Sequence, residues 1–270
     1  ELEEHYGVLL FNRLNKRLYI TDAGRKLFSY AKDVVKQFDE LEEKMFNINK
    51  KEKIRIGSTI TVGECILSDI INILTKKEPN IEVYSYMNNT QIIESKLLNS
   101  EIDIGIVEGE IKSPDLVCIP EVRDYLVLIC STNHPFAKRK TIKLKELAGE
   151  SFAMREKGSG TRELFERYLS NNGLEIKIAF EGNSPEAIKK EVINNNYLAV
   201  ISICLIEKEV KNSQIHFIES AEGAWDRYFS IVYHKDKVLT KGMKSLIEVV
   251  RNYKNISTHI KTHSAGRLVK

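Results

Sequence analysis

Apolar residues recur along this chain with two different periods, and the change from one to the other falls near residue 50. After Thr21, a helix N-cap by position, Leu27, Ala31, Val34, Phe38, Leu41, Met45 and Ile48 follow at alternating steps of four and three. That spacing keeps one narrow apolar seam on a helix, while Lys32, Asp33, Lys36, Asp39, Glu40, Glu42, Glu43 and Lys44 keep its other faces polar. A long helix with so narrow a seam predicts pairing with a second helix, and packing onto the chain's own globular part is the competing reading. Ahead of it, ELEEHYG reads as a helix and NRLNKRLYIT as a short hairpin around Asn15, with Arg13, Lys16 and Arg17 near its tip. The sequence opens at Glu1, within that helical pattern, so an earlier portion of the same small domain is expected to precede it.

From Lys53 onward the period shortens. KIRIG, IEVYSY and IDIGIVEG read as strands, separated by helices over Glu64 to Lys76 and Thr90 to Asn99. A strand pair near Val117 to Ile119 and Tyr125 to Cys130 comes next, then SFAM, a helix led by GSGT, IKIAFE, a helix from Ser184 to Asn194, and YLAVIS. RYFSIVYH and a helix from Lys241 to Tyr253 close the pattern. The alternation predicts an α/β fold with parallel sheet and crossover connections. Two similar sets joined by the long apolar strands YLVLIC and YFSIVYH predict two lobes with a double crossover and a ligand cleft between them. The expected division is 1–21 for the hairpin-bearing piece, 22–51 for the long helix, 52–127 with 229–255 for the first lobe, 128–228 for the second, and 256–270 for a tail that reads as polar and disordered from Lys261 to Lys270.

The stretch REKGSGTR, Arg155 to Arg162, is the most specific chemical signal. Glycines flanking Ser159, followed by Thr161 and a helical run, describe a turn entering a helix whose unpaired N–H groups, dipole and hydroxyls favour a small anion. The lysine of a Walker loop and the third glycine of a dinucleotide fingerprint are both missing, which excludes nucleotide chemistry here. Taken alone, these residues serve a capped helix start equally well.

Composition narrows the partners. A hydrophobic share of 42%, a charged share of 29% and a net charge of +3 describe an ordinary soluble protein without the bulk charge of a nucleic-acid binder. Cys65, Cys118, Cys130 and Cys204 sit singly in apolar runs, so they read as reduced core residues of a cytoplasmic protein, with no metal site and no cofactor expected. No run is long enough to span a membrane, and no histidine falls in a catalytic motif: His5, His134, His216 and His234 read as structural. No catalytic residue is predicted.

In order along the chain, ELEEHYGVLLFNRLNKRLYITDAGRKLFSYA, IGSTITVGEC, NNTQIIESKL, EIDIGIVEG, STNHPFAKRK and REKGSGTR resemble the landmarks of the LysR-type transcriptional regulators, over Glu1 to about Tyr253. The resemblance implies the end of a winged helix-turn-helix, a dimerising linker helix, and a two-lobed effector domain like a type II periplasmic binding protein. It places a small effector between Ser58, Thr59 and Thr61 on one side and Ser159, Gly160 and Thr161 on the other, with Asn89, Thr90, Glu108 and Arg162 as further candidates. The GSGTR form is similar to that of relatives sensing oxidised sulfur species or phosphorylated sugars, which implies a small anion as effector. By the same resemblance Arg13, Lys16 and Arg17 would touch DNA phosphates, Leu27 through Ile48 would join two or four copies, and the intact protein would bind operator DNA. One departure stands out: Asn195 and Tyr197 occupy positions where the family favours glycine. A stand-alone solute-binding protein and an enzyme on the same scaffold are the competing readings.

Overall fold

The computed structural model describes residues 1–14, 17–46, 51–220, 224–253 and 266–269. Of the predicted contact residues, Lys16 and Ile48 lie outside that set, as does most of the tail. The chain forms two compact units, Glu1–Lys51 and Glu52–Lys270.

In the first unit, helix α1 (Leu2–Tyr6) stops at Gly7, which adopts a left-handed φ of 64°. Glu3 then ties the helix to the chain that follows, its carboxylate accepting from the N–H groups of Leu10 at 2.7 Å and Phe11 at 3.0 Å. Strands β1 (Phe11–Leu14) and β2 (Arg17–Ile20) form the predicted antiparallel hairpin, with Arg13 and Arg17 on exposed positions. Thr21 caps α2 (Asp22–Phe46) through a 3.0 Å hydrogen bond from the Gly24 N–H and donates to the Leu9 carbonyl. Gly24 is required there, since a Cβ would sit 2.2 Å from the Leu10 oxygen. Along α2, Leu27 and Ala31 are half-buried, whereas Val34, Phe38, Leu41 and Met45 are exposed.

The second unit begins with β3 (Glu52–Thr59), which runs into α3 (Ile60–Val62), a π-helical turn over Gly63–Leu67, and α4 (Ser68–Lys77). Next come β4 (Ile81–Asn88), α5 (Thr90–Leu98), β5 (Ile104–Val107) and the long β6 (Leu116–Ser131). After β7 (Thr141–Lys143) follow β8 (Ser151–Arg155), α6 (Gly160–Asn171), β9 (Lys177–Gly182), α7 (Pro185–Asn195), β10 (Ala199–Ser202), α8 (Glu207–Lys211) and β11 (Ile215–Ser220). The unit ends with β12 (Asp226–His234), α9 (Lys241–Arg251) and β13 (Gly266–Val269).

Strand pairing gives the two lobes. In the first, β4, β3 and β5 are parallel, and β12 adds antiparallel between β5 and β6. In the second, β10 and β11 flank β6 antiparallel, and β13 and β7 continue parallel from β11. Parallel β8 and β9 join this lobe through the bridge between Phe152 and Leu198. The sheet is therefore mixed where the sequence predicts parallel strands, because β6 and β12 cross between lobes and run against their neighbours. The expected strand pair at 117–119 and 125–130 is one continuous strand: residues 116 to 125 pair with β12, and residues 126 to 131 pair with β10 and β11. Each lobe buries its own core. Ile54, Ile56, Ile70, Leu74, Ile104 and Leu246 lie in one, and Phe152, Phe165, Leu198 and Trp225 in another. Each fully buried side chain of this size contributes about 1.5–3 kcal/mol.

Three further sequence expectations need correction. The tail is not wholly unstructured: Gly266–Val269 forms β13 and buries Leu268 in the second-lobe core, a segment too short for periodicity to register. Cys65 and Cys204 are not reduced core thiols but a disulfide, joining residues too distant in sequence for spacing to have paired them. The turn before β10 uses Asn196, not Asn195 or Tyr197, as its left-handed residue, with φ 59°, a conformation asparagine tolerates.

Candidate functional site

Strand β3 delivers Ser58 and Thr59 to its C-terminal end, and α3 starts there with Thr59 at the cap position. The Thr59 hydroxyl does not cap the helix. It donates to the Glu108 carboxylate, and Thr61 donates to the other oxygen of the same group at 2.8 Å. Glu108 follows the end of β5 and is 1% exposed. Burial raises its pKa above the ordinary glutamate value, while the charges of Arg227 and Arg155 and the Thr61 hydrogen bond oppose that rise. An internal carboxyl group therefore already engages the two threonines. Ser58 is equally buried, and its Oγ has no hydrogen-bond partner among the described residues.

Asn89 and Thr90 open α5. The Asn89 side chain accepts from the Ile92 N–H at 3.0 Å, so it is spent as a cap. Thr90 donates to the Glu108 carbonyl at 2.7 Å and accepts from the Gly160 N–H at 3.2 Å. That second bond crosses to the other lobe. Beside it the Gln91 N–H donates to the Gly158 carbonyl at 3.3 Å, so the REKGSGTR turn rests directly on the first lobe. Gly158, at φ 85°, supplies the backbone conformation, and Gly160 supplies the room: a Cβ there would meet the Glu108 oxygen at 2.5 Å and the Gly109 Cα at 2.7 Å.

Helix α6 starts at this contact. Ser159 occupies its cap position without capping it, and its buried Oγ has no partner among the described residues. Thr161 accepts from Arg227 Nη1 at 2.9 Å. Arg162, by contrast, is fully engaged elsewhere, by Glu166 at 2.7 Å, Glu181 at 2.6 Å and the Arg155 carbonyl at 2.9 Å. Burial lowers its pKa, but these carboxylates raise it further and keep it charged. Arg155 donates twice to its neighbour Glu156.

The structure adds two residues that sequence reasoning missed. Arg227, 8% exposed, donates through Nε to the fully buried Asp124 at 2.7 Å, while its buried Nη2 has no partner among the described residues. A sequence signal existed. An acidic and a basic residue stand immediately before the two long apolar runs, in RDYLVLIC and DRYFSIVYH, where apolar surroundings demand that charges pair. A cavity of about 310 Å³ opens beside Arg227, with Gly109, Glu110, Gly160, Glu163, Arg167 and Asp226 also in its wall and neither Ser58 nor Ser159 among its lining residues. A larger hollow of about 580 Å³ between α4 and α9 shares no residue with the site.

The arrangement thus joins both lobes through the Gly160–Thr90 and Gln91–Gly158 hydrogen bonds, and three buried donors on the same segments, the Ser58 and Ser159 hydroxyls and Arg227 Nη2, have no partner among the described residues. Unmet buried donors are costly, so such a cluster is suited to accept oxygens from outside the chain.

The comparisons with known proteins agree with this architecture. The LysR substrate binding domain family matches residues 49–254. The HTH-type transcriptional regulator CysL of Bacillus subtilis (strain 168) is 28% identical over 271 aligned positions, covering 100% of this chain and 87% of the relative. The HTH-type transcriptional activator CmpR of Synechocystis sp. PCC 6803 is 28% identical over 242 positions, covering 89% and 79%. Among solved structures, the CcmR regulatory domain of Synechocystis PCC6803 in complex with 2-PG superposes with a TM-score of 0.69 at 25% identity, covering 74% of this chain and 96% of that one. With the family matched across most of its length and the two lobes in place, this chain belongs to the LysR family of transcriptional regulators.

Proposed function

We propose that this regulator senses a small anion held between its lobes by Ser58 and Ser159, the start of α6 and Arg227, and that the bound anion alters operator binding by a dimer or a dimer of dimers. The observation that carries the reading is the set of buried, unpartnered donors on Ser58, Ser159 and Arg227 beside the contact of the two lobes. The Glu108 carboxyl group already accepts from Thr59 and Thr61, which supports oxygen acceptors as partners for hydroxyls in this region. A solved relative holding 2-PG adds support for an anionic ligand. Thr59, Thr61, Thr90, Gly160 and Thr161 form the supporting frame in this reading. Arg162 and Asn89 are left out of it because other groups use them.

The seam of α2, half-buried at Leu27 and Ala31 and exposed from Val34 through Met45, supplies the dimerising surface, and Arg13 and Arg17 supply phosphate contacts. Such contacts position DNA without reading bases. Residues 52–127 with 229–255 and residues 128–228 are assigned to the two lobes. The protein acts in the cytoplasm and carries out no reaction in this account; among the described residues no helix is long and apolar enough to cross a membrane.

A thermal-shift screen with sulfite, thiosulfate, sulfate, phosphate, 2-PG and small carboxylates tests it. At least one stabilises the chain, by about 2.7 kcal/mol at a hundredfold excess over its Kd. Ser159→Ala separates function from folding: with no bond to lose, the free protein keeps its stability, while affinity for that anion falls about tenfold. Unchanged affinity in Ser159→Ala and Ser58→Ala, or no stabilising anion in the panel, contradicts the reading.

A further inference from the structure

The disulfide between Cys65 and Cys204 spans 139 residues and joins the two lobes, with Cα atoms 6.1 Å apart. Its placement is more informative than its presence. Cys65 lies in the π-helical turn that continues α3, four residues after Thr61, so both belong to one helical face. Thr61 is the residue that holds Glu108. Cys204 lies in the 3-10 turn Ile203–Leu205 that follows β10. Its Sγ is 3.1 Å from Ser202 Oγ, which also accepts from the Cys204 N–H. From there the hydrogen bonds run unbroken. Ser202 donates to Asp124 at 2.6 Å, Asp124 accepts from Arg227 at 2.7 Å, and Arg227 donates to Thr161 at 2.9 Å. One end of the bridge is a helical turn from the first-lobe hydroxyls, and the other is wired to the second-lobe hydroxyl.

The remaining cysteines differ in kind. Cys130 is buried, which pushes its thiol up to about 12, whereas Cys118 is exposed with a raised thiol, and neither is joined to another cysteine. Cys65 and Cys204 are only half-buried, so a small reagent can reach them. Inside a reducing cell a standing structural disulfide is uncommon, and those that form there act in catalysis or sensing.

We propose that Cys65 and Cys204 form a reversible thiol–disulfide site, oxidised by exchange with a low-molecular-weight disulfide, that fixes the two lobes against each other when oxidised and frees them when reduced. In the exchange, the thiolate of one cysteine attacks a sulfur of the small disulfide and expels one thiolate. The second cysteine then attacks the mixed disulfide and expels the other. The two cysteines lose two electrons in total and the small disulfide gains them, its two halves leaving as thiols that carry the two cysteine protons. The regulator thereby receives a redox signal through a link between its lobes that is distinct from the proposed anion contacts.

The full chain tests this with glutathione disulfide as oxidant and dithiothreitol as reductant. Alkylation after denaturation labels two cysteines in the oxidised chain and four in the reduced one, and peptide mapping finds Cys65 linked to Cys204. Hydrogen exchange at the Gln91 and Gly160 amides, whose bonds cross between the lobes, is about tenfold slower in the oxidised chain. Cys204→Ser exchanges like reduced wild type under both conditions, and Cys118→Ser keeps the full response. Four alkylatable cysteines after glutathione disulfide overturn the proposal. So does a Cys65–Cys204 bridge that leaves the two amides unchanged. The comparison of oxidised and reduced wild type decides the matter even if the serine variant fails to fold.

Discussion

Helix α2 and the core strands draw on the same apolar residue types, yet they leave them in opposite surroundings. Val34, Phe38, Leu41 and Met45 are 53–65% exposed, whereas Ile54, Ile56, Ile104 and Phe229 are at most 1% exposed. The second unit closes its own cores. The helix carries a stripe that its own unit leaves uncovered, which is the state expected of a surface awaiting a second copy. Apolar residues in the first case are proposed to serve assembly and in the second they serve stability, and substitutions should separate the two.

The largest effect is expected inside the second unit. Asp124→Ala strands the buried Arg227 guanidinium without its counter-charge, costing about 3–5 kcal/mol in urea unfolding and leaving self-association of the surviving folded protein intact. Phe38→Asp combined with Leu41→Asp should do the reverse. If the stripe serves the proposed dimer, self-association followed by sedimentation weakens by about a hundredfold or roughly 2.7 kcal/mol, while the unfolding of the second unit is unchanged. A wild-type chain that sediments as a monomer at micromolar concentration breaks the comparison outright.

Charge within the second unit gives smaller, pH-dependent effects. Burial pushes the Asp103 carboxyl up, but hydrogen bonds from Arg55 and Lys237 outweigh it and hold the group well below the usual aspartate range. A depressed carboxyl stabilises above its unfolded value near pH 3.9 and loses that contribution as pH falls toward the folded one. Asp103→Asn should therefore cost about 1.5–3 kcal/mol at pH 7, and the gap from wild type should shrink in acid. Glu108 behaves oppositely. Its carboxyl is raised, so the contribution it makes is present below the unfolded glutamate value and is lost as pH rises through its folded pKa. Glu108→Gln should be the mildest change, stabilising at pH 7 by on the order of 0.5 kcal/mol, with the advantage vanishing below the unfolded glutamate pKa. Melting temperature as a function of pH checks both signs.

The sequence was most legible where periodicity is long and chemistry is local. The α2 stripe, the βα alternation and the REKGSGTR turn needed only neighbours in the chain to be read. The contacts that complete the site are different, because they bring together residues remote in sequence. Thr59 and Thr61 look like free donors in the sequence, but Glu108, just past the end of another strand, accepts from both. Arg227 meets Thr161 and Asp124 only because β6 and β12 cross between the lobes side by side. Cys65 and Cys204 each sit in an apolar run, and apolar runs by themselves argue for buried thiols. Strand β13 adds its short segment to a sheet edge that no local pattern marks.

A crystal structure of the chain with the most stabilising anion from the screen is the most direct test of how the two lobes work together. The account predicts the anion at the lobe contact, its oxygens within hydrogen-bonding distance of Ser58 Oγ, Ser159 Oγ and Arg227 Nη2. An anion lodged only in the hollow between α4 and α9, with those three groups still unpartnered, would contradict it.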